Sequence, residues 1–199
     1  MIRFFDIILS GAGLILLSPL FLLIYILIRI ESKGRGIYAQ ERIGRNGVPF
    51  RLYKFRSMQE NADKGSQITI GRDPRITRMG RIIRKAKLDE LPQLWNVLWG
   101  DMSLVGPRPE VECYTHLYND QQRQVLTVRP GITDWASIKY LDENLILGQA
   151  EDPEKVYREQ IIPDKIRLNM IWVKNPSLGV YFKIIFTTIS LIITRGRER

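Results

Sequence analysis

The segment Arg84-Lys85-Ala86-Lys87-Leu88-Asp89-Glu90-Leu91-Pro92-Gln93 places two adjacent carboxylates directly behind three cations. Proline is tolerated in the first turn of a helix, where backbone N–H groups lack partners anyway. Pro92 therefore sets Asp89 and Glu90 at a helix N-terminus, where the macrodipole favours a charged carboxylate. Adjacent carboxylates in a basic neighbourhood also suit Mg2+, which takes oxygen ligands and accompanies phosphates. Acids that merely complement a helix dipole need no ligand, and spacing alone does not separate the two readings. Arg84, Arg108 and Arg129 are candidates for phosphate contacts, because a guanidinium offers a planar, bidentate donor set. Each arginine taken alone also reads as an ordinary surface residue. Arg108 and Arg129 stand out because Gly106-Pro107-Arg108-Pro109 and Arg129-Pro130-Gly131 hold them in loops, where ligand contacts concentrate.

Other chemistries are poorly supplied. Cys113 is the single cysteine and His116 the single histidine of the 199 residues. An intramolecular disulfide is excluded, and a histidine-based metal cluster or a Ser-His-Asp triad has little to draw on. The net charge of +9 favours acidic partners: anionic lipid, nucleotide phosphates or nucleic acid. The excess is uneven, with 16 basic and 5 acidic residues over positions 29–87 against 7 and 11 over positions 110–170. The basic half carries the anion-binding expectation.

Several elements must position these groups. Residues 7–28 contain no charged side chain, and as one helix they would reach ~33 Å, enough for a bilayer core. Ser18-Pro19 lies in the middle of this run. Proline removes a helix hydrogen bond and clashes one turn back, and a serine hydroxyl can satisfy the freed group. The run either spans with a kink or bends and returns, each arm then measuring ~17 Å. The positive charge that follows puts the bulk of the chain on the cytoplasmic side in both cases. A cleaved signal peptide competes with these readings, but the run is long for one and no convincing cleavage site precedes the basic stretch.

Residues 37–58 read as a β-hairpin turning at Arg45-Asn46-Gly47, and residues 60–72 as a polar loop. Residues 77–87 read as a short basic helix with Met79, Ile82 and Ile83 as its apolar face. A second helix covers 88–99 and stops at Gly100, followed by an extended stretch over 103–108. A helix is expected over 112–128, broken by Arg129-Pro130-Gly131, and one or two polar-faced helices over 152–173. Asn175-Pro176-Ser177 opens a last helix with the stripe Leu178, Tyr181, Ile184, Ile185, Ile189 and Ile192. Lys183 argues against a simple span, while Arg195, Arg197 and Arg199 suit an anionic membrane surface.

Eight segments in order carry a resemblance: Ser18-Pro19, Gln40-Glu41-Arg42-Ile43-Gly44, Tyr53-Lys54-Phe55-Arg56-Ser57-Met58, Asp73-Pro74-Arg75-Ile76-Thr77, Leu88-Asp89-Glu90-Leu91-Pro92-Gln93, Gly100-Asp101-Met102-Ser103, Val105-Gly106-Pro107-Arg108-Pro109 and Arg129-Pro130-Gly131-Ile132-Thr133. Nearly from end to end the sequence is similar to the bacterial sugar transferases, the small monotopic phosphoglycosyl transferases. The resemblance implies an α+β, mostly helical monotopic membrane protein. Residues 1–35 would form a re-entrant anchor broken at Ser18 and Pro19, and residues 36–199 a catalytic domain with an interfacial helix over 177–194. It implies that Asp89 attacks the β-phosphate of a UDP-sugar and releases UMP. Polyprenyl (undecaprenyl) phosphate then takes the phosphosugar from the aspartate, which opens lipid-linked glycoconjugate assembly. Asp89 and Glu90 would be the catalytic pair and the Mg2+ ligands, with Glu90 as the metal-side partner. Arg84, Arg108, Arg129, Lys54 and Arg56 would contact phosphate. The implied setting is the cytoplasmic face of the bacterial inner membrane, with lipid rather than nucleic acid as partner and room for a homodimer.

One position departs from the pattern. Many relatives carry Gly-Ile-Thr-Gly-Trp-Ala where this chain has Gly131-Ile132-Thr133-Asp134-Trp135-Ala136. Asp134 puts sugar specificity in question more than reaction class. Two other functions compete with the transferase. A membrane-bound hydrolase of nucleotide-sugars or lipid diphosphates would use the same groups with water as acceptor. An anchored basic module would bind anionic lipid or nucleic acid without chemistry, but no nucleic-acid motif supports it.

Overall fold

The computed structural model describes residues 1–60, 62, 69–70 and 73–197. Most of the polar loop expected over 60–72 lies outside the described residues, as do the side chains of Arg195 and Arg197 and all of Arg199.

Pro19 decides the first element pair. Helix α1 (Ile2–Leu16) and helix α2 (Ser18–Glu31) meet at Leu17 with a bend of 61°. Pro19 has no N–H to give the Ile15 carbonyl, and Ser18 Oγ donates to that oxygen instead at 2.8 Å. The break therefore leaves no stranded acceptor at Ile15. Among the described residues no single helix is long and apolar enough to cross a membrane, and this bent pair meets that test only together. Phe4, Ile15, Leu16, Leu22, Leu23 and Ile30 on these helices stand exposed.

Strands β1 (Ile37–Ile43) and β2 (Pro49–Phe55) form the antiparallel hairpin, with Asn46 in the left-handed region at φ 59° to close the turn. Helix α3 (Arg78–Lys85) starts on Thr77, whose side chain accepts from Gly80 N. The Glu31 carboxylate at the end of α2 accepts from Arg78 N and Met79 N, so the two helices are stapled end to end. Ile83 is fully buried against Ile24, Ile28 and Phe55, and Met79 packs on the same cluster. Ile82 does not join that face as the periodicity suggests; it is 61% exposed.

The helix expected over 88–99 is two pieces. Leu88–Glu90 is a 3-10 turn, and helix α4 is Gln93–Trp99, with Pro92 at its N-cap. The missing N–H of Pro92 and its fixed φ suit a helix start and not an interior. Gly100, at φ 103°, ends α4 in the left-handed region where glycine is unstrained. Strand β3 (Ser103–Val105) then pairs in parallel with β4 (Gly131–Thr133). A Cβ on Gly131 would lie 2.1 Å from Gly106 N, so the crossing beside Arg108 requires glycine there.

The helix expected over 112–128 is likewise divided, into α5 (Glu112–Thr115), α6 (Asp120–Arg123) and a 3-10 turn at Gln124–Thr127. Asn119 is the cause: its side chain accepts from Gln122 N, and Gln122 returns a bond to Asn119 N. That capping box starts a new helix and ends any continuation of the old one. Helices α7 (Trp135–Lys139) and α8 (Glu143–Gly148), absent from the sequence reading, follow β4. Helix α9 (Pro153–Val156) runs through a π-helical turn at Tyr157–Ile161 into α10 (Ile162–Lys174). Helix α11 (Leu178–Arg197) closes the chain. Tyr181 and Ile184 of its apolar stripe are buried with Val105 and Trp172, whereas Phe186, Ile189 and Ile193 remain exposed.

The N-terminal helix is built into this body. Arg3 donates to the Val97 and Leu98 carbonyls near the end of α4, a favourable place for a cation. Asp6 accepts from Ser103 Oγ at 3.0 Å, Leu104 N at 2.9 Å and Tyr181 OH at 2.9 Å. One carboxylate thus joins α1, β3 and α11.

Candidate active site

A polar cavity opens between the hairpin, α3, the Leu88–Glu90 turn and the helices that follow β4. Strand pairing supplies its first cations. Tyr38 lies opposite Lys54 and Arg42 opposite Phe50, so Lys54 and Arg42 share one face of the ribbon at alternate positions. Both line the cavity, with Arg84 from α3, Lys87, and Arg108 from the loop after β3.

Asp89 and Glu90 line the same cavity. The 3-10 turn that holds them is entered through Lys87, a non-glycine residue at φ 57°. Asp89 is buried, and its Oδ1 has no hydrogen-bond partner among the described residues. Burial, then the Glu90 charge, push its carboxyl up to about 6 against the pull of Lys54, Arg84 and Lys87. Glu90 has the opposite balance. Burial alone would raise it, but the Arg108 charge and its hydrogen bonds outweigh burial and bring Glu90 down to about 2. The pair is a fork: Arg108 Nη1 donates to Glu90 Oε2 at 3.1 Å and Nη2 to Oε1. Neighbouring carboxylates in one turn are thus pushed apart in acidity, which is how acid–base and nucleophilic roles are commonly divided.

The cations differ as well. Burial, then Arg42 and Arg108, lower Lys54 to about 7. Burial also lowers Arg84 and Arg42. Arg84 is aimed by Ser57 Oγ, which accepts from its Nε at 2.8 Å. Arg42 is held by Gln40 Oε1, which accepts from its Nη2 at 2.9 Å, with Glu110 at 3.7 Å.

Two of the residues expected to contact phosphate lie elsewhere. Arg56 donates to Ser32 O and Ser32 Oγ at 2.9 and 2.8 Å and to Lys33 O, which fastens the end of α2 to the hairpin. Arg129 donates through Nε to Gly100 O at 2.9 Å. Both satisfy backbone carbonyls and neither lines the cavity. Arg42 and Lys87 were missed. Arg42 lay within Gln40-Glu41-Arg42-Ile43-Gly44, and its alternation with Lys54 across the hairpin was the available signal. Nothing local in the sequence announces the left-handed backbone of Lys87.

The carboxylates give a restricted fit to Mg2+. Among the described residues no group of three or more His, Cys, Asp or Glu side chains converges. Both Glu90 oxygens are taken by Arg108, whereas Asp89 Oδ1 has no hydrogen-bond partner among the described residues and leaves Asp89 as the carboxylate open to a cation. Mg2+ commonly binds through one or two carboxylates together with substrate phosphates, and this donor set fits that mode.

The mostly helical α+β fold, with small sheets and a bent apolar helix pair, defines a class of protein with a cation-lined cavity around two carboxylates beside an apolar surface. The chain belongs to the bacterial sugar transferase family, which it matches over residues 1–195. It is 38% identical over 198 residues to a UDP-N-acetylgalactosamine-undecaprenyl-phosphate N-acetylgalactosaminephosphotransferase of Aeromonas hydrophila, covering 96% of this chain and 43% of that protein. It is also 38% identical over 196 residues to a UDP-glucose:undecaprenyl-phosphate glucose-1-phosphate transferase of Klebsiella pneumoniae, covering 94% and 39%. An exopolysaccharide production protein of Rhizobium leguminosarum bv. phaseoli is 37% identical over 203 residues, covering 98% and 96%. The chain therefore spans less than half the length of the first two relatives and nearly all of the third.

Proposed function

We propose that this protein transfers a sugar 1-phosphate from a UDP-sugar to undecaprenyl phosphate through a covalent phosphosugar-aspartate on Asp89. The observation that carries this reading is Asp89 Oδ1, without a hydrogen-bond partner among the described residues, in a cavity lined by Arg42, Lys54, Arg84, Lys87 and Arg108. Such a carboxylate is short of hydrogen bonds and faces a region built to receive phosphate oxygens. In the first step an Asp89 oxygen bonds to the β-phosphorus, and the bond from that phosphorus to the oxygen bridging the α-phosphate breaks. UMP leaves with the electron pair. In the second step an oxygen of the polyprenyl phosphate attacks the same phosphorus, and Asp89 departs as carboxylate. This is nucleophilic catalysis with ping-pong order. Glu90 holds Arg108 in place through its fork, and Lys54 and Arg84 offset the diphosphate charge. Mg2+, when held through Asp89 and the phosphates, would add charge neutralisation at the reacting group.

The membrane setting follows from the same reading. The bent pair α1–α2 would enter and leave one leaflet, so that residues 1–35 act as a re-entrant anchor and residues 36–199 work at the cytoplasmic face of the inner membrane. Exposed Trp95 and Trp99 on α4 and Phe186 and Ile189 on α11 suit the headgroup boundary. The product would start a lipid-linked glycan such as a capsule or exopolysaccharide. Purified protein with Mg2+, undecaprenyl phosphate and a panel of UDP-sugars should release UMP. Rapid quench with radiolabelled donor and no lipid should leave sugar phosphate on Asp89. Label on another residue moves the nucleophile, and sequential kinetics without label rules out the covalent route.

A further inference from the structure

Beyond Arg108 the cavity continues among Ser137, Tyr140, Asn144, Tyr157, Lys165 and Asn169. Two polar atoms in this part, Ser137 Oγ and Asn169 Oδ1, are buried without a hydrogen-bond partner among the described residues. The orientation of Asn169 is fixed by its neighbour. Its Nδ2 donates to Asp134 Oδ2 at 3.0 Å, and because a carboxylate only accepts, Oδ1 has to face away. Asp134 Oδ1 accepts from Ser137 N, and Asp134 Oδ2 also accepts from Arg108 N at 2.8 Å. The departure from the family pattern thus puts a buried carboxylate at a junction. It ties the phosphate-facing Arg108 to the two residues whose polar atoms are unmet.

Leaving a buried polar group unpaired costs ~1–3 kcal/mol, and folded proteins keep few such groups. Two in one cavity point to a ligand that completes them. Its charge is constrained. Lys165 is paired with Glu143, and Asp134 is satisfied by three donors, so among the described residues this end offers no free cation for a phosphate. The chemistry that fits is an uncharged group rich in hydroxyl or amide hydrogens, with Tyr140 and Tyr157 beside it for ring C–H surface. If the transferase reading holds, the donor's sugar is joined through its anomeric oxygen to the phosphorus that Asp89 attacks. The uracil lies a further phosphate and a ribose away. Arg108 touches Glu90 at one end and shares Asp134 with this cluster at the other, so the group nearest the reacting phosphorus reaches it first.

We propose that Ser137 and Asn169, set by Asp134, form the sugar subsite and determine which UDP-sugar is used. Asn169 Oδ1 accepts from a sugar hydroxyl or acetamido N–H, and Ser137 Oγ donates to or accepts from a neighbouring oxygen. This inference rests on the proposed transferase function. Ser137→Ala is the cleanest probe, because the hydroxyl has no hydrogen-bond partner among the described residues and its loss should leave the melting temperature at or above that of the wild type. Its kcat/KM for the preferred UDP-sugar should fall roughly 5–100-fold, the worth of one such hydrogen bond, and the lead over the next-best sugar should shrink. Inhibition by UDP should not change. Asn169→Ala, which also loses the Asp134 bond and should melt lower, should give the same change in donor preference per folded molecule. Weaker UDP inhibition in step with the rate loss would make this a nucleoside subsite and overturn the proposal. Unaltered preference and rate in both variants would mean that water alone fills the cluster, which also overturns it. Wild-type protein that releases no UMP from any UDP-sugar would instead overturn the transferase reading, and the sugar subsite with it.

Discussion

Asp6 and Asp89 are both buried aspartates, at 1% and 8% exposure, and they are treated in opposite ways. Asp6 Oδ1 receives three donors, two from β3 and one from α11. Asp89 Oδ1 receives none among the described residues. A buried carboxylate with its hydrogen bonds met is a structural tie. One without them, in a cavity lined by cations, is held ready for something the fold does not contain. Asp134 follows the Asp6 pattern, with its charge taken up by Arg108 N, Ser137 N and Asn169 Nδ2. The unmet acceptor, rather than burial or charge, separates the proposed reactive site from the scaffold.

The largest expected effect tests this contrast directly. Asp89→Asn keeps the shape and removes the nucleophile, so UMP release should fall at least ~10³-fold, as expected when a covalent catalyst is lost. The protein should remain folded. Asp6→Ala should do the reverse. It strands Ser103 Oγ, Leu104 N and Tyr181 OH and should lower stability by roughly 3–5 kcal/mol, while turnover per folded molecule at low temperature stays within a few-fold of wild type. Asp6→Asn keeps Oδ1 as acceptor and should retain most of the stability. Denaturant unfolding in detergent and UMP release, measured on the same preparations, separate the two aspartates. A catalytic collapse in Asp6→Asn without unfolding would break the distinction.

The parts of this arrangement that were legible in the sequence are those fixed by local chemistry. Pro19 set the bend, Arg45-Asn46-Gly47 the hairpin and Gly100 the end of α4. The Asp89-Glu90 pair was legible as a motif, but its setting was not. Pro92 caps α4 instead of sitting inside it, so the pair occupies a 3-10 turn ahead of the helix. The roles of the arginines were hidden for a different reason. Arg108, Arg56 and Arg129 look alike in sequence, and which of them faces a carboxylate or a backbone carbonyl depends on residues 18 to 29 positions away. Helices α7 and α8 were invisible because they are short: α7 starts on the Asp134 cap, and α8 is held by tertiary packing through Leu147.

A second, smaller effect concerns the energetic cost of the unmet Asp89 carboxylate. Its folded acidity, about 6, lies above the ordinary aspartate value of 3.8. The native state is therefore relatively favoured below pH ~4, where the group is protonated in both states, and that contribution is lost as pH rises through about 6. In EDTA, Asp89→Asn should be more stable than wild type at pH 8 by roughly 2–3 kcal/mol, since each pKa unit corresponds to about 1.4 kcal/mol. The advantage should shrink towards zero by pH ~4. Melting curves of both proteins across this range check the sign. A wild type more stable than Asp89→Asn at pH 8 would mean that the carboxylate is satisfied after all and would remove the contrast with Asp6.

The smallest effect lies in the backbone that delivers Asp89. Asp6 sits within a regular helix, whereas Asp89 follows Lys87, held at φ 57° and ψ 19°. A side chain in that left-handed region costs about 1 kcal/mol, and glycine escapes the penalty. Lys87→Gly and Lys87→Ala both delete a cation that acts on Asp89 and Glu90, so both should slow UMP release to a similar degree. They should differ in stability. Alanine keeps the strain and glycine relieves it, although glycine's greater freedom in the unfolded chain offsets part of the gain. Lys87→Gly should therefore melt slightly above Lys87→Ala, by ~0.5–1 kcal/mol in unfolding free energy. If alanine proved the more stable, the turn would relax without the left-handed residue, and backbone strain would have no part in holding Asp89 in the cavity. Equal stability with equally reduced rates would assign Lys87 to the reaction through its charge alone.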